Sequence, residues 1–291
     1  MSALVLKLIA AAAMLIDHIA VVAYPFLIGE TARQILRSVG RLAFPIFAYF
    51  IAVGYRKTSD LPRYLTRLCR VALLSQIPFV LVFVRSGYAP ELGTALVQTT
   101  PWPLPVVLLL IAFVGAVWLL TVRRDRSVLL PVGALLVGAV NLRVEGIVLL
   151  ASELNVFYTL ALGLACVSIL DRAFRPERDV KLLALQAAAV AACFVLIRDT
   201  ADFRYLGAAL IICFWAAADQ PLSQLVLLVM WAAIEYLLGG MGVMQFLFAA
   251  ASSLLLLCYN GERGQGFRRF FYWFYPVHLA VLGVVNLLLS A

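Results

Sequence analysis

The sequence predicts an all-α, polytopic transmembrane helical bundle of about 11 spans, with the N-terminus cytoplasmic and the C-terminus outside. Three observations carry that prediction. The 291 residues are 65% apolar and 13% charged, with a mean hydropathy of +1.02, against roughly 45–50% apolar and about 25% charged in a soluble domain. Apolar runs near the length of about 20 residues that a helix needs to cross lipid recur along the whole chain. Basic residues crowd into every second connection between those runs, as an inside–outside alternation requires.

Taken in order, the spans fall at about 4–26, 34–55, 65–84, 104–122, 128–144, 152–170, 181–197, 203–218, 221–238, 242–258 and 271–289. The later ones are short and crowded, so the range is ten to twelve. The first run is expected to stay on the chain: it exceeds a signal-peptide core, holds Asp17 and His18, and has no small-x-small cleavage site. Lys7 and the connections after spans 2, 4, 6 and 10 carry 16 of the 23 basic residues; the opposite side carries 7. The chain reads as one transmembrane domain over 1–291, with 85–150 an insertion containing two extra spans.

The net charge of +8 then belongs to orientation, and nucleic-acid binding is excluded. The five cysteines lie singly in apolar runs without a C-x-x-C, as small core side chains do. No Walker loop, dinucleotide fingerprint or H-E-x-x-H occurs. Two histidines with isolated carboxylates make a poor metal site, so no metal is expected.

Function should sit where ionisable groups enter lipid, at a cost of about 2.5–3.5 kcal/mol each. Asp17 and His18 lie deep in span 1. Eleven residues at about 100° each return Lys7 and His18 to one face, roughly 16 Å apart along the axis, with Ala11 and Met14 between. A cation at the mouth and an imidazole deeper in suit a ligand with an anionic head and a long reactive arm. The structural account makes Lys7 an interfacial anchor and His18 a helix–helix bond. Asp17 points about 100° away from His18 and needs a cation on another helix, for which Arg41, early in span 2 in Gly40-Arg41-Leu42-Ala43-Phe44-Pro45, is the candidate. That pairing and a binding role are compatible. His278 lies a turn or two inside an aromatic belt that includes Tyr275. Asn155 opens span 6, where helix capping accounts for it.

These segments together resemble the TraX family of integral membrane proteins, named for a conjugation protein linked to N-terminal acetylation of F-type pilin. The resemblance rests on Lys7-Leu8-Ile9-Ala10 through Met14-Leu15-Ile16-Asp17-His18-Ile19, the Gly40–Pro45 segment continued to Ala48, and Ser75-Gln76-Ile77-Pro78-Phe79. It continues in Asn155–Leu160, Tyr205-Leu206-Gly207, Tyr259-Asn260-Gly261 and Phe274-Tyr275-Pro276-Val277-His278-Leu279. About seventy residues separate Phe79 from Asn155, where the family has a short loop. More distantly, a basic residue, ten positions and a histidine in the first span is similar to the membrane acyltransferases that O-acetylate surface glycans.

The resemblance implies a multi-pass acetyltransferase of a bacterial inner membrane. It would take acetyl from cytoplasmic acetyl-CoA to an acceptor amine or hydroxyl, a peptide N-terminus or a glycan. His18 would be the general base with Asp17 beside it. Lys7, Arg41, His278 and Tyr275 would hold the donor, and Asn155 the acceptor. The alternative is a transporter or flippase in which buried His and Asp relay protons. Oligomeric state is left open.

Overall fold

The computed structural model describes residues 1–83, 154–176, 179–196, 203–265 and 267–290, with a two-residue antiparallel ladder that pairs Arg143 with Val148 and Val144 with Ile147. Everything else described is helix or short connection. The helices are α1 (Ala3–Ala23), α2 (Glu30–Gly40), α3 (Ala43–Lys57), α4 (Leu61–Phe83) and α5 (Val156–Ala173). They continue with α6 (Val180–Leu196), α7 (Arg204–Ala216), α8 (Pro221–Leu238), α9 (Val243–Leu257) and α10 (Arg268–Ser290).

With Glu30–Lys57 taken across α2 and α3 as one, six helical segments among the described residues are long and apolar enough to cross a membrane, while Tyr205–Ala216 and Val243–Leu257 are shorter apolar helices. Their outer faces carry Leu74, Ile77, Leu238, Leu254 and Leu288, all more than half exposed. Water would penalise such a surface and lipid does not; the chain is a membrane protein. Spans 4 and 5, placed at 104–122 and 128–144, fall outside the described residues apart from the ladder at Arg143-Val144.

The second span, placed at about 34–55, is not one continuous helix. It breaks between α2 and α3, where Arg41 and Leu42 turn back on the carbonyls of Ser38 and Val39. Pro45 explains the break. It has no N–H for the carbonyl of residue 41, and its ring collides with that carbonyl in a continuous helix. Arg41 therefore sits at a helix end and not on a helix flank.

Contacts at the chain's start fix the direction of the bundle. The Met1 amino group donates to the Cys258 carbonyl, and Ala3 N–H donates to Glu262 O at 2.9 Å. Tyr55 Oη donates to Asp171 Oδ2 at 2.9 Å, and Arg56 binds Asp219 at 3.2 and 2.5 Å. The Arg56 hydrogen bond holds the exposed Asp219 carboxyl below its usual pKa. These contacts place the start of α1, the ends of α3 and α5, and the loops after α7 and α9 at one end. There Arg56, Lys57, Arg63, Arg67, Arg172 and Arg175 gather. From that end α10 runs parallel to α4, and Asn286 donates to the carbonyls of Leu81 and Val82 at 2.9 and 3.2 Å. The start of α1 and the end of α10 thus lie at opposite ends of the bundle.

The core is a seam of small and aliphatic residues between α3, α4, α5, α7 and α8, including Ala48, Leu65, Leu68, Ala161, Leu164 and Ile211. Helix α1 packs beside it against α2, α3, α4 and α10. This arrangement opens the inner face of α1 onto a cavity.

Candidate active site

The cavity has an empty volume of about 1060 Å³, and its wall joins Lys7, Met14, Asp17 and His18 of α1 to Gly40, Arg41, Phe44 and Phe50. Helices α4, α5 and α10 close it with Tyr64, Leu68, Phe157, Phe271, Tyr272 and Tyr275. Lys7, Met14 and His18 share this wall as the helical spacing requires. The lining between the charged groups is apolar and aromatic, which suits a long uncharged arm.

His18 is 6% exposed, and its Nδ1 lies 2.9 Å from Nε2 of His278. The rings are 7° from parallel. His278 Nδ1 lies 2.7 Å from the carbonyl oxygen of Phe274, one turn earlier in α10. A carbonyl only accepts, so in the neutral pair His278 carries its proton on Nδ1 and presents Nε2 as an acceptor. His18 must then donate from Nδ1, which leaves its own Nε2 with the lone pair. Among the described residues that nitrogen has no hydrogen-bond partner. His278 does not line the cavity; it stands behind His18 and sets its tautomer.

Asp17 meets Arg37, not Arg41: Arg37 Nε donates to Asp17 Oδ1 at 3.0 Å, with both side chains largely buried. The expected Asp17–Arg41 pairing is corrected by helix approach. A Cβ on Gly40 would lie 2.4 Å from Asp17 Cβ, so the end of α2 touches α1 at Asp17. Arg37, one turn back on the same face, then reaches the carboxylate from the side. Arg41 is left on the cavity wall, its guanidinium 5.4 Å from the centre of the Phe203 ring. Among the described residues its buried Nε has no hydrogen-bond partner.

Among the described residues Lys7 likewise pairs with no carboxylate; its Nζ lies 4.7 Å over the Phe50 ring. Tyr275 is 2% exposed and packs edge-on to His18 and His278 at 6.3 and 5.6 Å. Asn155 is fully buried and does not line the cavity. Its Oδ1 accepts from Phe157 N–H at 3.1 Å, and its Nδ2 donates to Gln76 Oε1 at 2.9 Å and Ala72 O at 2.7 Å. Capping α5 and tying it to α4 uses the whole amide, and it places Phe157 against Tyr275 at 4.7 Å.

The sequence reading missed Arg37, Arg67 and Phe203. Arg67 counted only towards orientation, yet it lies over Tyr64 and Tyr272, 5.6 and 5.9 Å from their centres, beside the Lys7 end of the cavity. Arg37 and Arg41 stand at i and i+4, which signals a shared face without saying which one meets Asp17. Phe203 carries no sequence signal at all.

No curated protein and no solved structure matches the chain. The family model described as TraX protein matches it over residues 2–152 and 136–286, nearly its whole length. The cavity residues Lys7, Asp17, His18, Arg41, Phe157 and Tyr275 all lie within those stretches, and the chain belongs to the TraX family.

Proposed function

We propose that the protein is a membrane acetyltransferase that takes acetyl from cytoplasmic acetyl-CoA, with His18 as general base. The observation that carries this reading is the polarised histidine pair. It leaves a lone-pair nitrogen on the wall of a cavity that has a cation about 16 Å away along α1. Lys7, with Arg67 nearby, would hold the phosphates of the donor as point charges. The pantetheine arm would lie along Met14, Phe47 and Leu68 and bring the thioester to His18.

In the transfer step the acceptor nitrogen or oxygen attacks the acetyl carbonyl and its proton passes to His18 Nε2. The carbon–sulfur bond breaks, and the imidazolium returns that proton to the leaving sulfur. Throughout, Nδ1–H of His18 keeps donating to His278, which steadies the charge as it forms. Asp17, fixed by Arg37, positions this part of α1. The acceptor is a peptide N-terminus, as the family's association with pilin acetylation supports, or a glycan. The membrane is the bacterial inner membrane.

A proton-relaying transporter draws less support. The pair ends at the Phe274 carbonyl, which cannot accept and pass on a proton. Detergent-purified protein incubated with acetyl-CoA, with and without an acceptor peptide, should release free thiol. Absence of thiol release under every acceptor condition, from folded protein, would overturn the reading.

A further inference from the structure

We infer that Arg41, set on Phe203, forms an anion subsite at the inner end of the cavity, and that the acceptor carries an acidic group, a carboxylate or phosphate, close to its reacting nucleophile. This goes beyond the acetyltransferase reading and rests on it only for the word acceptor; the subsite itself stands on geometry.

Several cations of the bundle are paired with carboxylates. Arg33 binds Glu30, Arg37 binds Asp17, and Arg56 binds Asp219. Arg41 is not paired in this way: like Lys7 and Arg67 it rests on an aromatic ring, and among the described residues its buried Nε has no hydrogen-bond partner. Among the described residues Asp17 is the one carboxylate on the cavity wall and is taken by Arg37, and Arg41 rests on an aromatic face, 5.4 Å from the Phe203 centroid. An aromatic face holds a guanidinium in place without neutralising it, so the charge stays available to a ligand.

The platform under Arg41 is built at a cost. Phe203 has φ of 57° and ψ of 2°, in the left-handed region, which disfavours a residue with a side chain. Strain of that kind persists only where the surroundings impose it, and they do. The Phe203 ring stacks on Phe44 at 3.9 Å and 12°, with Trp231 behind at 5.6 Å from Phe44. Trp231 is itself anchored by Nε1–H to Leu206 O at 2.8 Å. A Cβ on Gly207 would come within 2.8 Å of Phe44, Thr159 and Phe203, so only glycine lets α7 start against this stack. Strain, stack and glycine converge on one outcome, a cation with planar donors on the wall that also holds His18. A guanidinium fork matches a carboxylate or phosphate with two parallel hydrogen bonds. Gly40, next to Arg41, packs against Asp17, the neighbour of His18, whereas Lys7 is about 16 Å away from His18 along α1. The second anion is therefore not the donor's phosphate at the mouth.

The test is binding by the full-length protein in detergent, read by titration calorimetry and thermal shift, with two pairs of small probes. N-acetylglycine is compared with N-acetylglycinamide, and N-acetylethanolamine phosphate with N-acetylethanolamine. Wild type should bind at least one anionic member about 10-fold or more tighter than its neutral partner, and which pair does so separates carboxylate from phosphate. Arg41→Gln should abolish the preference, Arg41→Lys should keep part of it, and Phe203→Leu should weaken it. Lys7→Gln should leave it in place. Equal binding of both members of both pairs overturns the inference, as does a preference that survives Arg41→Gln or disappears in Lys7→Gln. If Arg41→Gln does not fold, Arg41→Lys and Phe203→Leu decide by the same criterion. Loss of thiol release with the Arg41-dependent preference intact would sink the acetyltransferase reading and leave the subsite standing.

Discussion

His18 donates from Nδ1 to Nε2 of His278 across 2.9 Å, and His278 in turn donates from Nδ1 to the Phe274 carbonyl at 2.7 Å. Two residues 260 positions apart in sequence thus fix one tautomer at the cavity wall. The first prediction concerns the rear member. His278→Gln keeps an oxygen able to accept from His18 and should hold kcat within about 5-fold of wild type. His278→Leu leaves a buried N–H without a partner, worth about 1–3 kcal/mol, so kcat should fall about 5- to 150-fold with little change in KM for acetyl-CoA. Equal kcat values for the two folded variants would remove the positioning role.

The second prediction is the front member. General-base catalysis contributes about 10²–10⁴-fold, and His18→Ala should lower kcat by that order while acetyl-CoA still binds. His18→Gln should be nearly as inactive, since it bonds His278 but cannot take a proton. Activity should be low in acid, where the imidazole is already protonated, and rise with pH through its titration. With an α-amine acceptor a second rise is expected near pH 7.7–8.0, roughly the α-amino pKa. A His18→Gln protein active within a few-fold of wild type would make the residue structural.

The third prediction separates the two ends of the cavity. Lys7 acts by charge, so Lys7→Arg should retain most activity and Lys7→Gln should raise the KM for acetyl-CoA more than it lowers kcat. Arg67→Gln should do the same to a smaller extent, because its guanidinium lies over Tyr64 and Tyr272 behind the wall. An unchanged KM in Lys7→Gln would move the donor's phosphates elsewhere.

The helices were legible from apolar run length because lipid demands it of every span, and α1, α4, α8 and α10 fall within a few residues of expectation. The break in the second span was legible in Pro45, which has no N–H to donate and clashes with the preceding turn. The Lys7–His18 wall was legible because both residues sit on one helix with fixed periodicity. What escaped depends on contacts between helices. Whether Arg37 or Arg41 meets Asp17 turns on how closely α2 approaches α1 at Gly40. The pairing of His18 with His278 turns on the depth at which α10 enters the bundle. The left-handed Phe203 escaped because phenylalanine is among the last residues expected there.

The fourth prediction follows from the Asp17–Arg37 pair. Removing one partner of a buried ion pair strands the other, at a cost of about 3–5 kcal/mol. Arg37→Gln should therefore lower the thermal stability in detergent more than Arg41→Gln does. Gly40→Ala should also destabilise, because its Cβ would fall 2.4 Å from Asp17 Cβ. If Arg41→Gln proved the more damaging to stability, the ion pairing described for α1 and α2 would be wrong.

The last prediction is orientation. Because α10 runs from the end that holds Met1 to the opposite end, the two termini should lie on opposite sides of the membrane. The Met1 end collects Lys7, Arg56, Lys57, Arg63 and Arg67 from α1, α3 and α4, and basic residues near span ends favour the cytoplasm. Arg33, Arg37 and Arg41 lie at the other end, but Glu30 and Asp17 occupy two of these. A reporter active only outside the cytoplasm, fused after Ala291, should therefore be active, and the same reporter fused before Met1 silent. Reversed activities would place Lys7 outside and close the proposed entry for a cytoplasmic donor. Equal activities at both ends would contradict the opposed termini and would mean that α10 does not run parallel to α4 across the bilayer.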